Sequence, residues 1–187
     1  STGIGGGIIV NGKLVFGAHG FAGEVGHQTI DTRGPRCHCG KLGCLESFSS
    51  GTALARIARQ RASEHTNTLM LDLAEGNLDY ITSSIVANAA RVGDILATEV
   101  MNDAMSRLAV GIVNLIHVLN PELIVIGGGM SNNFDLIHPI LTREIKNLVM
   151  APELAKVPVV KSELGDEVGV IGAAAMVFKD IVGSTES

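Results

Sequence analysis

Apolar positions along the chain fall into short runs whose spacing changes from one region to the next. Residues 4–10 and 13–16 flank Asn11-Gly12. An Asn-Gly pair between two apolar runs predicts an antiparallel hairpin, because both turn positions need positive φ. Residues 17–46 are rich in Gly, His and Cys and show no period, which predicts an irregular excursion that carries chemistry. Helical spacing begins near Thr52, a plausible cap, and continues through Gln60. After a weaker stretch a second helix is expected over about 83–91, and Gly93-Asp94 ends one helix and caps the next. Met101, Ala104, Leu108, Ile112, Leu115 and Leu119 then recur at three- and four-residue steps, marking one buried stripe of a long helix that stops at Asn120-Pro121. Residues 123–126 are short and continuously apolar, as expected of a parallel strand covered on both faces. A helix over about 134–149, a strand around 157–161 and a helix over about 169–182 complete the pattern, and 183–187 reads as a disordered tail. A hairpin followed by alternating helices and strands predicts an α/β layered fold.

Composition narrows the function classes. The 187 residues suit one large domain or two small ones and suffice for a sizeable core. With 46% hydrophobic and 18% charged residues, global disorder is excluded. Fourteen basic against nineteen acidic residues give a net charge of −5, which argues against nonspecific nucleic-acid binding through this chain. No run of 18 apolar residues and no signal peptide occur, so neither a membrane span nor secretion is expected. Three cysteines, an odd number, point to a reducing compartment rather than a disulfide framework. The chain opens on Ser1-Thr2-Gly3 without an initiator Met, and reads as cut from something longer.

The cysteines carry the sharpest chemistry. Cys37, Cys39 and Cys44 fall within eight residues, and thiolates with imidazole are the usual ligands of tetrahedral structural zinc. The fourth ligand is His27 or His38, and His27 is favoured because a residue wedged between two ligating thiolates tends to point away from their shared metal. Buried free thiols, or a disulfide plus a spare thiol, are the alternatives. Zinc held by four protein ligands has no open position, so its role would be structural. Glu24 precedes His27 by three residues and Glu46 follows Cys44 by two. If a metal ties that loop together, both carboxylates face one pocket with the imidazole, a set suited to sugar hydroxyls, which both donate and accept. His27 could place one ring nitrogen on the metal and offer the other to a ligand.

Two glycine runs remain. Thr2-Gly3-Ile4-Gly5-Gly6-Gly7 leads into a strand and a turn, so it fails as a dinucleotide fingerprint, and no Gly-Lys-Ser/Thr makes it a P-loop. It is either a tight turn or a glycine-lined hairpin whose N–H groups approach a phosphate. Gly127-Gly128-Gly129 follows a buried strand and precedes a helix, the crevice where α/β sheets bind ligands, and an adenosine end lying there fits best.

Thr2-Gly-Ile-Gly-Gly-Gly7, Gly17, Ala22-Gly-Glu-Val-Gly-His27, Cys37-x-Cys39-Gly40-x-x-Gly43-Cys44-x-Glu46 and Asn120-Pro-Glu-Leu-Ile-Val-Ile-Gly-Gly-Gly129 together resemble the ROK family of repressors and sugar kinases, over essentially the whole chain. Ser1 departs from it, standing where the family usually has Gly. The resemblance implies an actin-like ATPase, ribonuclease H-like lobe over 1–182 with an inserted zinc loop at 27–46, the carboxy-terminal half of a glucokinase-like ATP:hexose phosphotransferase. It implies His27, Cys37, Cys39 and Cys44 as zinc ligands and Glu24, His27 and Glu46 as sugar binders. Thr2, Gly3 and Gly5 would then face ATP phosphates, and Gly127, Gly128 and Gly129 the adenosine. Mg²⁺ accompanies ATP, the enzyme would be a cytoplasmic homodimer, and the catalytic Asp lies upstream, leaving this chain inactive by itself. The competing implication is the sugar-sensing half of a ROK repressor.

Overall fold

The computed structural model describes residues 2–183. Its centre is α5 (Ile95–Leu119), against which α1 (Glu46–Ser49), α2 (Gly51–Glu64), α4 (Ser83–Arg91) and α6 (Phe134–Leu148) pack. Helix α5 starts where expected: the Asp94 carboxylate accepts from Ala97 N at 2.7 Å. The same carboxylate accepts from Leu69 N at 2.7 Å and from the Thr68 hydroxyl, which ties α3 (Leu69–Leu73) to the start of α5. At the other end Asn120 turns left-handed, φ 43°, and closes the helix.

The stripe predicted on α5 is part of a wider buried face. Met101, Ala104 and Ile112 are buried as expected, but Leu119 is 43% exposed, whereas Val100, Met105, Ala109, Val113 and Ile116 are buried. Helices pack on more than one side of α5, so three to four positions per turn-pair do not describe it. Helix α2 begins one residue before the proposed Thr52 cap: Ser50 caps it, its hydroxyl accepting from Ala53 N at 3.1 Å.

The sheets are smaller than the sequence suggests. Strands β1 (Ile9–Val10) and β2 (Lys13–Leu14) form the expected hairpin through Asn11 at φ 51° and Gly12 at φ 72°. Residues 4–8 are not strand, because that glycine-rich segment lies against residues 23–26 instead. Strands β3 (Ile124–Ile126) and β4 (Val159–Lys161) pair in parallel, with Ile124 opposite Val159, but do not join the hairpin. Val125 is 55% exposed, so within this chain β3 is covered on one face only, not on both. Residues 152–156 form a 3₁₀ turn, which delays β4 beyond the predicted start at 157. The last helix, α7, runs Val168–Gly183, so Gly183 is helical rather than tail, and the rest of the expected disordered tail, 184–187, lies outside the described residues. Among the described residues no helix is long and apolar enough to cross a membrane.

Candidate functional site

The excursion between β2 and α1 doubles back on itself. Isolated bridges join Thr29 to Cys44 and Arg36 to Leu42, with Ile30 N donating to Gly43 O at 2.9 Å and Gly43 N to Pro35 O at 2.8 Å. Gly43 sits at φ 68°, and a Cβ there would lie 1.5 Å from the Asp31 carbonyl oxygen, so only glycine lets the two arms touch. At the tip, Cys37 N donates to Lys41 O and Gly40 N to Cys37 O, a tight turn that gathers Cys37 and Cys39.

This folding brings together His27, Cys37, Cys39 and Cys44, whose ligand atoms all lie within 4.8 Å of one another. Sγ of Cys39 and Cys44 are 3.6 Å apart, and Cys37 Sγ is 3.7 Å from His27 Nδ1. A tetrahedral zinc with bonds of about 2.3 Å to sulfur and about 2.0 Å to nitrogen separates its ligands by roughly 3.5–3.8 Å. These two pairs match that spacing, and three thiols with an imidazole are the donor types that ion takes. His38 is exposed and stands outside the group, and all three cysteines are free. Burial pushes the Cys37 thiol above its usual range and Cys44 up to about 12, while the Lys41 backbone N–H holds Cys39 lower.

The acidic residues meet the same cluster. Residues Val25–His27 make a 3₁₀ turn, which sets Glu24 and His27 side by side, Glu24 Oε2 lying 3.8 Å from His27 Nε2. One edge of the imidazole thus faces Cys37 and the other Glu24, and both side chains are open to solvent. Glu46, first residue of α1, accepts from Ile4 N at 3.0 Å and from the Cys37 thiol at 3.4 Å. Glu24, His27 and Glu46 are therefore linked in a chain of contacts through His27 and Cys37.

The amino-terminal glycines serve this packing first. A Cβ on Gly3 would lie 2.3 Å from Glu46 Oε2, and one on Gly26 would lie 1.9 Å from Ile4 O. Gly5 has nothing within 4 Å and Thr2 is exposed, so both present an open face. Gly127, Gly128 and Gly129 lie after β3, on a different element from the cysteine loop, with Gly128 at φ 78°.

Some positioning groups escape a reading of the sequence. The Gln28 amide donates to Gly111 O at 3.4 Å and accepts from Asn114 Nδ2 at 3.0 Å, pinning the residue after His27 to α5. Leu45, between Cys44 and Glu46, is buried over Gly111, where a Cβ would lie 2.4 Å from its Cδ2. The only hint in the sequence is an isolated glycine inside a long helical pattern.

Residues 1–180 match the ROK family throughout. The chain belongs to the ROK family. It is 34% identical over 182 residues to the glucokinase of Thermotoga maritima, covering 97% of this chain and 57% of that protein. It is 33% identical over 184 residues to the xylose repressor of Caldicellulosiruptor bescii, covering 98% of this chain and 46% of that one. Among solved structures, the ROK glucokinase of Streptomyces griseus in complex with glucose and AMPPNP superposes with a TM-score of 0.87 at 32% identity, over 94% of this chain and 57% of that one. A ROK transcriptional regulator homologous to the E. coli MLC protein gives 0.74 at 31% identity, over 86% and 39%. The fold is thus the actin-like ATPase fold of ROK sugar kinases, and the chain spans about half the length of the curated relatives it matches.

Proposed function

We propose that this ROK chain is the carboxy-terminal lobe of an ATP-dependent hexose kinase of the glucokinase kind. The observation that carries this reading is the joining of Glu24, His27 and Glu46 through Cys37, in a chain that superposes on a glucose- and AMPPNP-bound ROK glucokinase. Glu24 and Glu46 accept from sugar hydroxyls, and the outer nitrogen of His27 adds a group that can donate or accept. Zinc on His27, Cys37, Cys39 and Cys44 fixes the tautomer and the orientation of that imidazole. Thr2, Gly3 and Gly5 line the phosphate end of ATP, carried with Mg²⁺, and Gly127–Gly129 the adenosine. The aspartate that takes the hydroxyl proton is assigned to the part of the relatives that this chain does not span. Three free thiols suit the cytoplasm. A homodimer through exposed apolar side chains such as Val118, 80% exposed, completes the assignment.

The test is calorimetric titration of the zinc-loaded chain with glucose, with a panel of other hexoses and with ATP. A kinase lobe binds both a hexose and ATP, and Glu46→Gln is expected to weaken hexose binding at least about tenfold, since a charged hydrogen bond contributes roughly 1.5–3 kcal/mol. Hexose binding without any ATP binding would instead support a sugar-sensing repressor half, the reading that similarity to the xylose repressor keeps open. In a coupled assay the 187-residue chain alone is expected to show no turnover. Turnover would overturn the placement of the proton acceptor elsewhere.

Zinc uptake has a second signature. With Cys37 raised and Cys44 near 12, both thiols hold their protons at pH 7 in the metal-free loop, and zinc must displace them. At least about two protons should leave per zinc, so affinity should fall roughly hundredfold per pH unit on acidification. Calorimetry in buffers of different ionisation enthalpy measures this directly, and zinc uptake without proton release would refute thiolate ligation.

A further inference from the structure

The three thiols of the cluster divide unequally between core and solvent. Cys37 and Cys44 are buried, Cys44 completely, whereas Cys39 is exposed at the tip of the loop. A buried thiol is inert to oxidants in solution, while a thiolate that solvent reaches is open to them. As a zinc ligand Cys39 is a thiolate, and so it is exposed and nucleophilic at once.

A second sulfur stands beside it. Cys44 Sγ is 3.6 Å from Cys39 Sγ, so a shift of about 1.5 Å brings the pair to bonding distance. Cys44 is the fixed member: it bridges to Thr29, and its carbonyl accepts from Ser47 N at 2.9 Å and Ser47 Oγ at 2.6 Å. Cys39 has the room to move, since a Cβ on the adjacent Gly40 would meet nothing within 4 Å. Cys37 is engaged elsewhere, 3.7 Å from His27 Nδ1 and donating to Glu46 Oε1 at 3.4 Å. The cluster therefore splits into a Cys39–Cys44 pair and a half that carries the sugar-side groups.

We propose that Cys39 and Cys44 are a peroxide-sensitive pair whose oxidation empties the zinc loop and switches hexose binding off. The proposal rests on the reading of this loop as zinc-bound and of His27 as a sugar ligand. The Cys39 thiolate attacks one oxygen of hydrogen peroxide: an S–O bond forms, the O–O bond breaks and hydroxide leaves, giving a sulfenic acid. The Cys44 thiolate then attacks the Cys39 sulfur: the S–S bond forms, the S–O bond breaks and a second hydroxide leaves. Two electrons pass from the two sulfurs to the peroxide, and neither sulfur remains an anionic ligand. His27 and Cys37 are then the only donors left of the four that a structural site needs. With the metal gone, the imidazole loses what fixes it toward the sugar. A thiol reductant reverses the bond and lets the loop refill.

The test measures the zinc content of the untreated chain, then adds hydrogen peroxide stepwise with a chromophoric zinc chelator present. About one zinc should be released per peroxide. Trypsin cuts at Lys41, between the two cysteines, so their peptides should emerge joined, with fragmentation placing the bond at Cys39 rather than Cys37. Peptides are compared rather than whole-chain masses because Met150, 82% exposed, also takes up oxygen. Glucose affinity should fall at least about tenfold, and dithiothreitol with zinc should restore it. Cys39→Asp supplies an oxygen ligand that cannot form the bond, so this variant should keep its zinc in peroxide. If it fails to load zinc, the bond mapped in the unaltered chain decides. Zinc retained in excess peroxide, or lost with Cys37 in the bond, would overturn the pair. Zinc loss with unchanged glucose affinity would overturn the switch. An untreated chain without zinc would count against the zinc reading itself, whereas a zinc-loaded chain that resists peroxide leaves that reading standing.

Discussion

Cys44→Ala is expected to leave the purified chain with almost no zinc, where the unaltered chain carries about one per molecule. Cys44 is fully buried and its Sγ lies 3.6 Å from that of Cys39, so its loss removes a ligand that water cannot readily replace. Structural zinc contributes on the order of 10 kcal/mol to folding small sites, and a missing thiolate forfeits a large share of that. The lost methylene and thiol packing alone is worth roughly 1 kcal/mol, so a much larger drop in stability marks the metal. His27→Ala should follow Cys44→Ala, and His38→Ala should keep its zinc, because His38 stands outside the cluster. Elemental analysis alongside thermal unfolding checks both. Full zinc in Cys44→Ala, or none in the unaltered chain, would sink the assignment of this loop as a metal site. The proposed sugar pocket on the same loop would weaken with it.

Gly43→Ala should be the most damaging glycine-to-alanine change among the described residues. The new Cβ would be driven to 1.5 Å from Asp31 O, a backbone atom that cannot swing aside, at a residue with φ 68°. Gly40 is the control: its φ is 87° but nothing lies within 4 Å of a Cβ. Gly40→Ala therefore meets only the left-handed penalty, roughly 1–2 kcal/mol. Gly43→Ala adds the separation of two hydrogen-bonded arms, for a total of about 4 kcal/mol or more. In a chain of this size that difference lowers Tm by roughly 5–10 °C beyond the control. Equal Tm values for the two variants, measured with zinc bound, would show that the Asp31–Gly43 contact is not what shapes the loop.

Much of this site is legible in the linear chain because its chemistry is local. Cys37, Cys39 and Cys44 span eight residues, so a turn of any kind brings them close, and Glu24 with His27 needs only one 3₁₀ turn. The hairpin at Asn11-Gly12, the Asp94 cap and the stop at Asn120 are likewise dictated by residues within four positions of each other. Misreadings arise where distant segments compete. Residues 4–8 have strand composition, yet they pack on 23–26, since paired glycines allow a closer backbone approach than a strand partner would. Leu119 has the right spacing for burial, yet it is 43% exposed at the last residue of α5.

By itself the sequence determined the candidate ligand types, the candidate carboxylates, the Asn11-Gly12 turn and the two ends of α5, because each follows from side-chain chemistry or φ preference over a few bonds. Only the tertiary structure decided that Glu46 would reach Ile4 across 42 positions and that Gln28 would be pinned to Gly111 across 83. Those contacts depend on how α1, α2 and α5 cross, and that is set by the volumes buried between them rather than by any local preference. The same packing turned three cysteines and a histidine from a motif into a set of donors spaced for one ion.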